Sequence, residues 1–187
     1  MLFALCTTAE AQQPKKIPRI GYLAATSLSA NAVLIEAFRQ GLRELGYAEG
    51  KNIVIEWRSA EGKLDRLPAF AAELVHLKVD VIVTAGQSST RPANEATRTI
   101  PIVMAQNPDP VGAGFIASLA RPGGNITGLS SLTPEISGKR LEILKEIVLK
   151  LSRVAVFGTS TNPGNAQALK ETELAAAALG LDLRCAH

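Results

Sequence analysis

From residue 19 to residue 130, short apolar runs rich in β-branched residues alternate with segments of helical spacing, and glycine, proline or a polar turn marks each change. No other feature limits the fold so strongly. Strands separated by helices cannot pair as hairpins, so each reaches its neighbour through a right-handed crossover, which predicts a parallel sheet in an α/β layered architecture. The expected strands are residues 19–23, 52–58, 79–84, 101–104 and 127–130, and the expected helices are 31–45, 64–77 and 88–97. Val33, Leu34, Ala37, Phe38, Leu42 and Leu45 supply the apolar positions of the first helix, which Gly46 stops. Leu67, Phe70, Ala71, Leu74 and Val75 do the same for the second.

A chain of 187 residues that is 47% hydrophobic can bury a sizeable core. Its net charge of +3 arises from 20 basic and 17 acidic residues spread without blocks, and aromatics are only 4%. Nothing in that distribution calls for nucleic acid or an anionic membrane as partner. No apolar run reaches the roughly 20 residues of a membrane-spanning helix. Cys6 and Cys185 form neither a disulfide framework nor a metal-ligand spacing. Apolar Leu2 to Cys6, followed by Ala9-Glu-Ala11 and a polar, proline-containing stretch, has the form of the back half of a secretory leader without its basic start. Residues 1–11 are thus expected to be a partial signal peptide, and the chain to be exported.

Beyond residue 133 the pattern starts afresh. Residues 134–149 form the strongest helical pattern, with Ile136, Arg140, Ile143, Leu144, Ile147 and Val148 on one side and Lys139, Glu142, Glu146 and Lys150 on the wet side. A strand at 153–157, a helix at 165–179 stopped by Gly180, and a strand beginning at Leu181 follow. The expected organisation is a first α/β lobe over 12–133, a crossover helix over 134–151 and an incomplete second α/β lobe over 152–187.

The expected binding chemistry gathers at the strands' carboxyl ends. The apolar run from Ile100 to Ala105 meets Gln106-Asn107-Pro108-Asp109-Pro110, where two prolines fix φ and remove two donors, so the strand ends and presents polar side chains. Ligands bind at that edge of open parallel sheets. Gly86-Gln87-Ser88-Ser89-Thr90 follows another strand and opens a helix, whose unpaired N–H groups suit a carboxylate or another small anion. Asp109 one strand along is placed to accept hydrogen bonds from an amine or hydroxyls, and the two together suit a zwitterion such as an amino acid. Thr26 and Ser27 after the first strand, with Ser130 and Ser131 after the fifth, complete the rim. The candidate ligand-binding set is therefore Thr26, Ser27, Gln87, Ser88, Ser89, Asn107, Asp109, Ser130 and Ser131. Helix capping and turn formation are the competing roles for each of them.

Two motifs suggest other chemistry and fail on context. Gly112-Ala-Gly-Phe-Ile-Ala117 fits a dinucleotide fingerprint, yet Pro108 and Pro110 separate it from the strand it would have to follow directly. Gly86-Gln-Ser-Ser-Thr90 misses a nucleophile elbow by its last residue, and the only later histidine is His187 at the terminus. His76 falls on a helix surface, and Asn125-Ile-Thr127 is a turn entering a strand. No catalytic residue, metal site or cofactor is expected.

The run from Asn107-Pro-Asp-Pro-Val111 through Ser118-Leu-Ala-Arg-Pro-Gly-Gly-Asn-Ile-Thr-Gly128 resembles the signature of a bacterial ABC-transporter substrate-binding family with a type I periplasmic-binding fold. Ile20-Gly-Tyr-Leu23, Phe38-Arg-Gln-Gly-Leu42 with Gly46-Tyr47, Asn52-Ile-Val-Ile-Glu-Trp-Arg58, Asp65-Arg-Leu-Pro-Ala69 and Lys139-Arg-Leu-Glu142 match too. The resemblance implies a non-enzymatic solute-binding component of an importer, closing two lobes around a small nutrient and delivering it to an ABC permease in the inner membrane. Some such proteins are linked to aromatic amino acids. Family members are longer, so the resemblance also implies a truncated member. Two other functions compete: an intracellular sensory domain of the same fold, as in lactose-repressor-like regulators, and a Rossmann-like enzyme. The first would carry a helix-turn-helix before Arg19, and the second would need Gly112 and Gly114 to cradle phosphate.

Overall fold

A computed structural model of the chain describes residues 16–131, 136–157 and 164–186; the expected leader and the start of the 134–149 helix lie outside them. The first unit runs β1 (Arg19–Ala24), α1 (Ala32–Glu44), β2 (Val54–Ser59), α2 (Leu67–His76), β3 (Val81–Ala85), α3 (Gln87–Ala96), β4 (Ile102–Asn107) and β5 (Ile126–Ser130). Its five strands form one parallel sheet in the order β2-β1-β3-β4-β5. The α/β alternation read from the sequence is realised.

Each sheet face has its own core. On one, Leu67, Ala71 and Leu74 of α2 and Ala93 of α3 pack with Leu23, Ile82, Ile102 and Met104. Gly21 makes this possible over β1, since a Cβ there would meet the Leu74 side chain at 2.9 Å. On the other face Phe38 and Leu42 of α1 lie against Ile20, Tyr22, Ile55 and Val83, and Ile35 is the buried residue of α1. That corrects the expected face of α1: Val33 is 83% exposed, and Leu34 and Leu45 are also in solvent. Residues 33, 34, 37, 38, 42 and 45 span too wide an arc for one flat sheet to cover, and the contact selects the stripe 35–38–42. Phe38, Tyr22 and Trp57 form an aromatic cluster with centroids 4.9–6.4 Å apart. Trp57 Nε1 donates to Glu49, whose other oxygen accepts from Arg39 stacked over the indole. Lys16 and the Arg19 N–H both donate to Asp80, and these bonds hold its carboxyl below the usual range.

The second unit comprises α4 (Ser137–Ile147), β6 (Arg153–Phe157), α5 (Gly164–Leu179) and β7 (Asp182–Ala186), with β6 and β7 in a separate parallel pair. α4 packs on α5. Its buried residue is Leu141, which shares a small core with Ala176 and Leu181. The apolar side expected for α4 is largely exposed, Ile147 at 74%. Two strands over so small a core are marginal on their own. Amides of Val81–Ala85 are therefore expected to exchange at least about tenfold more slowly than those of Arg153–Phe157, by the usual link between buried contacts and local opening. Equal protection of the two strands would contradict this account.

Candidate functional site

Because β1 and β3 are parallel neighbours whose following helices run to opposite sides of the sheet, the strand order reverses between them, which makes a crevice at their carboxyl ends. The loop after β1 is held by its own polar groups: Thr26 accepts from Asn31, and Ser27 Oγ accepts from the Ala30 N–H and lies 3.2 Å from Ser29 Oγ. Ser59 also donates to the Thr26 carbonyl, tying the loop to β2. The hydroxyls of Thr26 and Ser27 thus have local work, and the loop they shape borders the crevice.

Across the crevice, Gly86 enters α3 with φ 79°, a left-handed geometry that favours glycine, and its N–H donates to Gln106 O at the end of β4. No side chain caps α3. The N–H groups of Gln87, Ser88 and Ser89 carry no hydrogen bond among the described residues, leaving the positive end of the helix open. Ser88 is half-buried, and its hydroxyl has no hydrogen bond among the described residues either. Ser89 differs: buried, it donates to Ala85 O at 2.7 Å and accepts from Ala85 N–H at 3.2 Å. Thr90 is bonded to Gly86 O and Thr84. The structure therefore gives Ser89 the work of shaping the turn, with Ser88 as its available hydroxyl.

β4 carries a feature invisible in the sequence. Met104 pairs with Thr84 and Gly128, but Ala85 pairs with Gln106, and Ser130 with Asn107, so β4 has one extra residue between Met104 and Asn107. The bulge changes the alternation and lets Asn107 be buried on a strand whose preceding two residues are exposed. Asn107 Oδ1 accepts from the Asp109 N–H at 3.1 Å, and Gln87 Nε2 donates to the Asp109 carbonyl at 3.5 Å. The α3 N-terminus and Asp109 therefore share one end of the sheet. Asn107 is 0% and Gln87 6% exposed, and Asn107 Nδ2 and Gln87 Oε1 have no partner among the described residues. Leaving such an atom unpaired costs about 1–3 kcal/mol.

Asp109 Oδ1 accepts from Gly112 N–H at 2.7 Å, closing the turn that follows. Its second oxygen lies so close to Gly112 that a Cβ there would be 1.9 Å away. Residues 108–125 run in turns and bends without a helix, so the Gly112 fingerprint has no helix N-terminus to offer a phosphate. Asn125 pins this segment by donating to Ile100 O at 2.7 Å. At the far side, Ser131 N–H donates to Asn107 O at 3.1 Å, placing Ser130 and Ser131 beside the end of β4. Among the described residues no group of three His, Cys, Asp or Glu side chains could hold a metal ion, and no helix is long and apolar enough to cross a membrane. The bulge and the inward turn of Gln87 and Asn107 escaped sequence reasoning. Proline at 108 and 110 was the one available signal that this strand end is unusual.

Known proteins resemble this chain in sequence and in fold. A tyrosine-binding protein from Clostridioides difficile is 34% identical over 122 residues, 65% of this chain and 35% of the relative. A conserved domain protein from Vibrio cholerae has a TM-score of 0.84 at 29% identity, over 91% of this chain and 57% of the other. An ABC domain in complex with L-Trp from Streptococcus pneumoniae reaches 0.82 at 24% identity with the same coverage, which bears on fold. The chain thus spans between a third and three fifths of the length of these relatives, and its architecture is that of type I periplasmic-binding proteins. With the model of that family, ABC transporter substrate binding protein, matching residues 22–187, the chain belongs to the ABC transporter substrate-binding proteins.

Proposed function

We propose that this chain is the solute-binding component of an ABC-type importer, that it works in the periplasm with an inner-membrane permease, and that its ligand is an α-amino acid. One observation carries the ligand class: a helix N-terminus with no side-chain cap and a Ser88 hydroxyl with no hydrogen bond among the described residues shares one sheet edge with Asp109, a carboxylate with one oxygen given to Gly112. The first group attracts the ligand carboxylate and the second its ammonium, with 1.5–3 kcal/mol roughly the worth of each charged hydrogen bond. The relatives described as tyrosine-binding and as holding L-Trp support an aromatic side chain. Ligand uptake then proceeds by closure of a second lobe over this edge, without chemistry on the ligand.

Calorimetry with L-tyrosine, L-tryptophan, tyramine and 3-(4-hydroxyphenyl)propionate tests the assignment. The two amino acids should bind, and removal of either charged group should weaken binding by about tenfold to a hundredfold. Equal binding of tyramine or the propionate, or preference for a neutral sugar, would refute it.

A further inference from the structure

We propose that Gln87 and Asn107 are a positioning pair: without touching the ligand, they fix the Asp109 peptide from both sides and so set the direction of its carboxylate. The role in binding rests on the amino-acid assignment above. Asn107 Oδ1 takes the Asp109 N–H, and Gln87 Nε2 reaches the Asp109 carbonyl. Asp109 sits between Pro108 and Pro110, which have no N–H, so its own amide is the only backbone donor of the three residues. Asn107 holds that donor. With the peptide fixed, Asp109 Oδ1 reaches the Gly112 N–H and the second oxygen is left for another partner.

Burial supports a specific role over packing. Both residues are more than nine-tenths buried, and each leaves one polar atom without a partner among the described residues, Gln87 Oε1 and Asn107 Nδ2. An apolar residue would fill either space without that loss, so the amides are explained by the bonds they make to Asp109. Their orientation is determined too. Turning either amide over would set oxygen against the Asp109 carbonyl, or NH₂ against its N–H. The bulge in β4 supplies the remaining requirement, for it brings Asn107 inward within two residues of Asp109.

The test has an arm that needs no ligand and one that does. In Asn107→Ala of the full chain, hydrogen exchange at the Asp109 and Gly112 amides should quicken at least about tenfold while Val81–Ala85 keeps its protection. Unchanged exchange at both amides would overturn the proposal. In the second arm, Gln87→Glu is titrated with L-tyrosine from about pH 5 to about pH 8. A buried carboxyl at position 87 favours its neutral form, and only that form can donate to the Asp109 carbonyl as the Gln87 amide does. The variant should bind within about threefold of wild type at the acid end and at least about tenfold more weakly at the alkaline end, while wild type stays flat. A variant profile parallel to wild type would overturn the proposal. Faster exchange at Asp109 in Asn107→Ala, with a wild-type chain that binds no amino acid, supports the positioning role and removes the amino-acid assignment instead.

Discussion

Gly128→Ala is expected to cost about 3 kcal/mol or more of folding stability, combining backbone strain with overpacking at one site. Gly128 has φ 146°, and a Cβ built on it would lie 2.1 Å from the Met104 carbonyl oxygen and 2.7 Å from the Met104 nitrogen. These are backbone atoms of the adjacent strand and cannot swing aside as a side chain does, so β5 must move away from β4 where the bulge begins. Gly41→Ala is the matching control. Gly41 lies within α1, where an added Cβ meets nothing within 4 Å, and helix propensity predicts a gain of roughly 0.5–1 kcal/mol. Urea unfolding with unchanged slope should show midpoint shifts of opposite sign. If both variants shift alike, the strands do not approach as described.

What the sequence made legible, and what it hid, follows from the range of the interactions. The strands of the first unit and α2 came through because their apolar pattern is local: Leu67, Ala71 and Leu74 repeat at helical spacing and all three are buried. The faces of α1 and α4 did not, because each sequence offers more apolar positions than one contact surface can cover. Tertiary contact chose Ile35 and Leu141, while Val33 and Ile147 stayed outside. At the site, the strand-end location of Gln87, Ser88, Asn107 and Asp109 was readable from proline and helix-start signals. The inward turn of Asn107 depends on a register shift against β5, and the occupation of Ser89 by Ala85 on the exact course of the β3–α3 turn. Neither leaves a mark in local composition.

Asp109→Asn separates the two roles this position can have. Asparagine keeps an oxygen that accepts the Gly112 N–H, so the turn survives and stability should change by less than about 0.5 kcal/mol, as for surface substitutions that preserve their bonds. The charge is gone, and affinity for L-tyrosine should fall about tenfold to a hundredfold, the worth of a hydrogen bond to a charged group. Gly112→Ala provides the complementary case. The backbone there needs no left-handed geometry, but the new methyl would lie 1.9 Å from Asp109 Oδ2, so the carboxylate must turn while keeping its charge. Binding should drop at least about tenfold in this variant too, because a charge-assisted bond weakens steeply once misaimed. Weak binding in both variants shows that the ligand needs the carboxylate charged and held in place. If Asp109→Asn binds L-tyrosine as wild type does, Asp109 is a turn residue alone, and the ammonium of the ligand must find its acceptor elsewhere on the rim.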